Sequence, residues 1–338
     1  MRQHTRTSVV VIAVLACAYS APLTRAQAQT DAKAAAVIAD VRKALGGDQK
    51  LAAMKTLSLR ADYRRELTGG PGPGGGGMMF IMRGAGGGSA EASTQATGKM
   101  EIDVELPDKY LRCDIGASGF AMTRTDGFEG TRAFQEAVPN TPGMQIRIDN
   151  PADNPELAKM ALRRSQQDLA RLFLGLTGTT QPGFAATYAY GGQAESPDGK
   201  ADILDVTGPE GFKVRLFVDA ATHLPLMLTY MDAEPRVMTR TMNRGGGRGD
   251  APAGGAPTTV QVTPEQRDEL EKQMRAAQAE PPKMVEYRLF FADYRKIDGL
   301  SLPYQISRGT AAKTTEEWTV TSYKVNPTFK ADRFKVGR

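Results

Sequence analysis

Long stretches of this chain alternate apolar and polar residues with a period of two, and that pattern restricts the fold more than any other feature. Leu57, Leu59, Ala61 and Tyr63 alternate with polar neighbours, and Met100, Ile102, Val104 and Leu106 alternate with Lys99, Glu101, Asp103 and Glu105. Successive side chains on a strand point to opposite faces, so each run predicts a strand with one apolar and one wet face. Further runs cover Tyr110–Ile115, Ala201–Val206, Phe212–Asp219, Leu226–Met231, Arg236–Met242, Met284–Tyr294, Leu302–Ser307 and Glu317–Val325. Short turns such as Gly208–Gly211 and Asp298-Gly299 lie between them, which predicts an antiparallel meander. A one-sided sheet of this length must cover its apolar face by curling on itself or by taking helices.

Few helices are available. Asp31 to Leu45 carries Ala34, Val37, Ile38, Val41 and Leu45 on one stripe and runs into Gly46-Gly47, a C-cap signal. Asn154-Pro155-Glu156 opens a second, with a capping Asn, Pro at the first helical position and Leu157, Met160, Ala161, Leu169, Leu172, Phe173 and Leu176 at helical spacing. Thr263-Pro264-Glu265-Gln266 is a capping box for a third, to about Ala279, which offers only Leu270, Met274 and Ala277 to a partner. The reading is mainly β with few helices: a curved antiparallel sheet with the first two helices on its concave side, in a single domain over residues 29–338.

Two glycine-rich inserts, at 69–98 and 243–282, interrupt that domain. They account for much of the excess in 36 glycines, and such tracts bury nothing while losing maximal backbone entropy on ordering. No Gly-Lys-Ser/Thr follows Gly74–Gly77, so a phosphate loop is rejected, and Arg248-Gly249-Asp250 reads as a chance triplet in a linker.

Residues 1–28 read as a secretory signal. Arg2 and Arg6 precede the apolar stretch Ser8–Ala18, which is too short for a hydrocarbon core of ~30 Å, and Ala26-Gln27-Ala28 places cleavage after Ala28. Val14-Leu15-Ala16-Cys17 is a loose lipobox whose use would leave Cys17 lipidated, although Leu15 is bulky for its position. Removing the signal takes away Arg2, Arg6 and Arg25 and lowers the net charge from +5 to +2, which gives no electrostatic reason to expect nucleic acid. The expected location is the periplasm, peripheral to a membrane at most.

Export also strips one of the two cysteines and one of the two histidines, leaving Cys113 and His223. No intramolecular disulfide is then possible, and a zinc site lacks ligands. His223 lies between two predicted strands as a surface turn residue, and no Gly-x-Ser-x-Gly elbow accompanies it. Cys113 shares a strand side with Leu111 and Ile115, which reads as a buried, inert thiol. Glu101, Asp103 and Glu105 lie on one side of a strand as a solvated face, and Glu316-Glu317 alternate sides and cannot act as a pair. No catalytic set, metal site or cofactor site is expected.

Several turn motifs occur in an order that resembles the periplasmic lipoprotein carriers and their relatives, the outer-membrane lipoprotein-sorting superfamily with LolA-like and LolB-like folds. The helix running into Ala44-Leu45-Gly46-Gly47, then Leu51 and Leu57-Ser58-Leu59, is similar to how many members begin. Leu106-Pro107-Asp108-Lys109-Tyr110-Leu111-Arg112 resembles their strand-turn-strand element, and Asp126-Gly127-Phe128-Glu129-Gly130 the tight Asp-Gly turn that follows. Phe212–Pro225 resembles a further hairpin, Asp293-Tyr294 through Asp298-Gly299 to Pro303 another, and Val325-Asn326-Pro327 with Phe334 the C-terminal close. The glycine-rich inserts depart from the pattern.

The resemblance implies an open (half) antiparallel β-barrel of roughly eleven strands with helices on the concave face. It further implies a non-enzymatic carrier or sensor for a lipid, lipoprotein acyl chain or other apolar ligand. Ligand-cavity candidates on that inner wall are Leu57, Leu59, Met100, Ile102, Val104, Leu169 and Phe173. For any single one of these, core packing is the ordinary role of a buried apolar side chain. An alternative of another class is an envelope protein–protein interaction module, in which the glycine-rich arms or exposed sheet edges dock a partner without a small ligand.

Overall fold

Most of the alternating stretches are strands. The structure, a computed structural model, describes residues 26–66, 79–80, 95–116, 122–140, 154–234, 237–238 and 283–335. The signal segment through residue 25 with Cys17, most of both glycine-rich inserts and the expected helix at 263–279 lie outside the described residues. In chain order the elements are α1 (Ala26–Ala44), α2 (Asp48–Ala53), β1 (Thr56–Glu66), β2 (Met79–Phe80), β3 (Gln95–Glu105), β4 (Lys109–Gly116), β5 (Met122–Glu129) and β6 (Arg132–Pro139). There follow α3 (Pro155–Thr177), β7 (Thr187–Ser196), β8 (Gly199–Thr207), β9 (Lys213–Asp219), β10 (Pro225–Ala233), β11 (Val237–Met238), β12 (Met284–Ile297), β13 (Leu300–Gly309) and β14 (Thr314–Val325).

The chain divides into two compact units. The larger comprises residues 1–67, 92–231 and 286–338, and is built on one antiparallel sheet in the order β6-β5-β4-β3-β1-β14-β13-β12-β10-β9-β8-β7. Its two ends do not pair, so the sheet is an open half-barrel of twelve strands, one more than expected. The smaller unit comprises 68–91 and 232–285. In it β2 and β11 pair in parallel, Met79 opposite Val237, and the Glu234 N–H donates to the Lys283 carbonyl at 2.8 Å.

Register explains which side is the inside. Leu57, Leu59 and Ala61 on β1 face Val104, Ile102 and Met100 on β3, and Tyr63 continues the same side to Trp318 on β14, Ile306 on β13 and Phe291 on β12. α3 packs against this side so closely that a Cβ on Gly175 would lie 2.1 Å from the Phe291 ring. Asp293 takes a positive φ (54°) while the β12–β13 register runs on unchanged, and the next residue, Tyr294, donates to the carbonyls of Gly175 (3.2 Å) and Pro225 (2.8 Å).

Two of the three expected helices form among the described residues. Asn154 caps α3, its Oδ1 accepting from the N–H of Glu156 (3.0 Å) and Leu157 (3.4 Å), with Pro155 at the first position and Gly178 (φ 75°) ending the helix. The buried stripe of α1 is Ala34, Val37, Val41 and Leu45. The chain then turns at Gly46, where a Cβ would meet the Gly299 carbonyl at 2.6 Å, and the Leu45 carbonyl accepts from the Ser301 N–H at 2.9 Å. The short α2 had no signal of its own beyond Leu51.

Several expectations need correction. β3 starts at Gln95, inside the stretch assigned to the first insert. Asp126-Gly127 is not a turn: both lie inside β5, and the reversal falls at Gly130. Gly127 is there because a Cβ would sit 2.0 Å from the Tyr110 carbonyl of the neighbouring strand. The outer face is not wet throughout, because the C-terminal segment after β14 folds over it. Leu111, Phe134 and Phe334 form a buried cluster there with Phe329 and Cys113 against it. Asp103, expected in a solvated row, is fully buried beneath Arg333 and Arg60 and accepts from Ser58 Oγ at 2.7 Å. Cys113 is half-buried rather than buried, and burial raises its thiol pKa.

Candidate functional site

The seven candidate residues fall on two elements of the sheet and on one helix. Leu57, Leu59, Met100, Ile102 and Val104 lie side by side on the inner face, with Leu169 and Phe173 among the buried residues of α3, and none is more than 2% exposed. The last three turns of α3 bury Leu169, Ala170, Leu172, Phe173, Leu174 and Leu176 together with Arg171 and Thr177, and α3 packs against β5, β6 and β13. Of the seven, Phe173 is the one that lines either of the two cavities described next.

The first cavity, of about 480 Å³, lies where helix ends meet a strand turn. Arg42 from the end of α1, Leu51 and Ala52 of α2, and Met54 with Lys55 form one wall. Leu106 and Pro107 of the β3–β4 turn form another, and Phe173 and Thr177 of α3 with Thr179, Thr180 and Pro182 the third. Gly178 in the left-handed conformation turns the chain back along α3 and so supplies that third wall. Thr177 Oγ lies 2.9 Å from the carbonyls of both Phe173 and Thr179, and the Thr180 N–H donates to Tyr188 Oη at 2.9 Å, so the loop is held. Most of the lining is apolar.

Two cations stand at this cavity and no carboxylate lines it. Arg42 donates through Nε to Asp48, and through Nη1 to the Thr177 carbonyl (3.4 Å) and Thr179 Oγ1 (3.3 Å). The Lys55 backbone N–H donates to Asn326 Oδ1 at 2.7 Å, while its exposed ammonium has no partner among the described residues. A second, smaller cavity of about 190 Å³ shares Pro107 and Pro182 with the first. Gln181 lines it, donating through Nε2 to the Gln166 carbonyl at 3.2 Å while its buried Oε1 accepts no hydrogen bond among the described residues.

Sequence reasoning missed a buried ionic quartet further along the same inner face. Arg112 donates to Asp114 through Nε (2.9 Å) and Nη2 (3.1 Å), and to Glu316 at 3.0 Å. Arg65 donates to Asp114 (2.8 Å) and Glu316 (2.7 Å). Burial opposes ionisation of both acids, but Arg112 and Arg65 more than offset it: Asp114 is held well below the carboxylate range and Glu316 down to about 2. Both acids are therefore ionised and doubly paired, leaving neither with a proton to exchange near neutral pH. The signal was legible: Arg112 and Asp114 share strand parity with Tyr110, Arg65 with Tyr63, and Glu316 with Trp318.

His223 occupies a turn between β9 and β10 (φ 58°), its N–H donating to the Asp219 carbonyl at 2.8 Å. Among the described residues no group of three His, Cys, Asp or Glu side chains is placed to hold a metal ion, and no helix is long and apolar enough to cross a membrane.

Three solved structures are similar in fold. A LolA superfamily protein from Nitrosomonas europaea is matched with a TM-score of 0.42 at 10% identity, over 87% of this chain and 94% of that one. A candidate outer membrane lipoprotein-sorting domain from Vibrio parahaemolyticus gives 0.41 at 9% identity, over 88% and 94%. The third, a DUF1329 family protein from Desulfovibrio piger, gives 0.36 at 9% identity over 90% and 97%. No family profile and no curated protein matches the sequence.

Proposed function

We propose that this protein is a non-enzymatic periplasmic carrier or sensor that binds an apolar, acyl-like ligand in the cavity between α1–α2, the β3–β4 turn and the end of α3. The observation that carries this reading is the cavity itself: about 480 Å³, with Leu51, Met54, Leu106 and Phe173 among its apolar lining. Small-molecule sites are typically ~300–1,000 Å³ and mostly apolar, and apolar area buried at ~25 cal/mol per Å² drives binding without directional chemistry. In this reading the inner wall of the trough is scaffold rather than ligand surface, and the ligand sits at its helix-covered end.

Native mass spectrometry of protein isolated from its own periplasm tests the proposal. An adduct of lipid mass on the signal-cleaved chain, displaced when Leu106→Trp fills the cavity, is the expected result. A ligand-free mass, together with no binding of lipid extract by the purified protein, would reject it.

A further inference from the structure

We propose that the ligand is a single-chain amphiphile with an acidic head, its chain in the cavity and its anionic group at Lys55 and Arg42; this rests on the proposed carrier function and narrows its substrate class. The argument begins with charge. The polar groups lining the cavity are Arg42, Lys55 and three threonines, with no carboxylate among them. Asp48 occupies the Nε edge of Arg42, and Nη1 is turned to Thr177 and Thr179. The Nη2 edge makes no hydrogen bond among the described residues, and the Lys55 ammonium has no counter-ion there. The site therefore retains one cation that its own acids do not neutralise.

A neutral group seated against the part-buried Arg42 would strip water from its Nη2 edge without replacing it, which costs free energy. An anionic head replaces that water with charge-assisted hydrogen bonds, about twice as strong as neutral ones. Size limits the tail. At roughly 30 Å³ per water-sized group, about 480 Å³ holds on the order of sixteen heavy atoms. That fits one medium-length chain with its head.

Calorimetric titration of the signal-cleaved chain with laurate, dodecyl phosphate and dodecanol, each below its micellar concentration, tests this. Either anion is expected to bind at least tenfold more tightly than dodecanol, the tighter of the two identifying a carboxylate or a phosphoryl head. Lys55→Met, a change of an exposed side chain, is expected to weaken the anions about tenfold and to change dodecanol binding by less than about twofold. Equal binding of dodecanol and the anions, or anion affinity indifferent to Lys55→Met, overturns the acidic head while the apolar carrier stands. Failure of all three probes overturns the carrier reading too.

Discussion

Arg112 on β4 and Glu316 on β14 are separated by 204 positions in the chain and by two intervening strands, yet their side chains meet at 3.0 Å. Arg65, on one of those strands, completes the bridge, so the ionic quartet ties β4, β1 and β14 together across the inner face. A buried pair is not by itself a source of net stability, but removing one partner leaves an uncompensated charge. Glu316→Gln or Arg112→Met is expected to lower unfolding free energy by about 3–5 kcal/mol in urea titrations. A loss under about 1 kcal/mol, the range of exposed pairs, would mean that water reaches the quartet.

The same acids set an acid limit. Their folded pKa values lie below the unfolded ones, Glu316 at about 2 against 4.5, so their contribution is complete above about pH 5 and is lost as pH falls toward 2. The part assignable to Glu316 is on the order of 3 kcal/mol. Melting temperature is expected to drop steeply between pH 5 and 2 in the native chain and less steeply in Glu316→Gln. Parallel slopes would remove Glu316 from the cause.

Helix and sheet are locked by the absence of one carbon. Gly175→Ala would push a methyl group into the ring of Phe291, which is itself buried. Overpacking of this kind costs about 1–3 kcal/mol, and it would also strain the hydrogen bond from Tyr294 to the Gly175 carbonyl. Thermal denaturation should show the loss, and Phe291→Leu should recover part of it by making room. A Gly175→Ala protein as stable as the parent would show that α3 shifts freely over β12.

On the outer face, Cys113 packs beside Phe329 and Phe334, and burial raises its pKa. Thiolate is the reactive form, so alkylation at pH 8 should be slow. Phe334→Ala opens the cluster and is expected to speed alkylation several-fold without unfolding the sheet. An unchanged rate would show that the C-terminal segment does not shield this thiol.

How far these features could be read in advance depended on whether they repeat along the chain. β1 and β3 were legible because Leu57–Tyr63 and Met100–Val104 alternate strictly. β5 was not: Met122-Thr-Arg-Thr-Asp-Gly-Phe-Glu holds one large apolar residue after Met122, and its Asp-Gly pair imitates a turn. The positive φ at Asp293 has no signature in sequence, although Phe291 before it and Tyr294 after it both lie against Gly175 of α3. The helix caps at Asn154 and Gly178 follow from local chemistry, and they appeared as expected.

The candidate site divides in the same way. The inner wall was visible as a set of alternating residues, but how the mostly apolar end of α3 docks on the sheet depends on tertiary packing. The cavity is formed by Arg42, Met54, Leu106 and Thr179, which belong to four separate ends and turns. No spacing rule links them.

The pairing of β1 with β14 has a consequence for biogenesis. Leu57 finds its partner Val325 only when nearly the whole chain has emerged, so the seam that closes last runs through the middle of the sheet, not along its rim. Until then β1 keeps an unpaired flank, the kind of nascent edge on which chains associate wrongly. A protein laid out this way folds slowly for its size, and escorts that hold emerging chains would have their work at that flank.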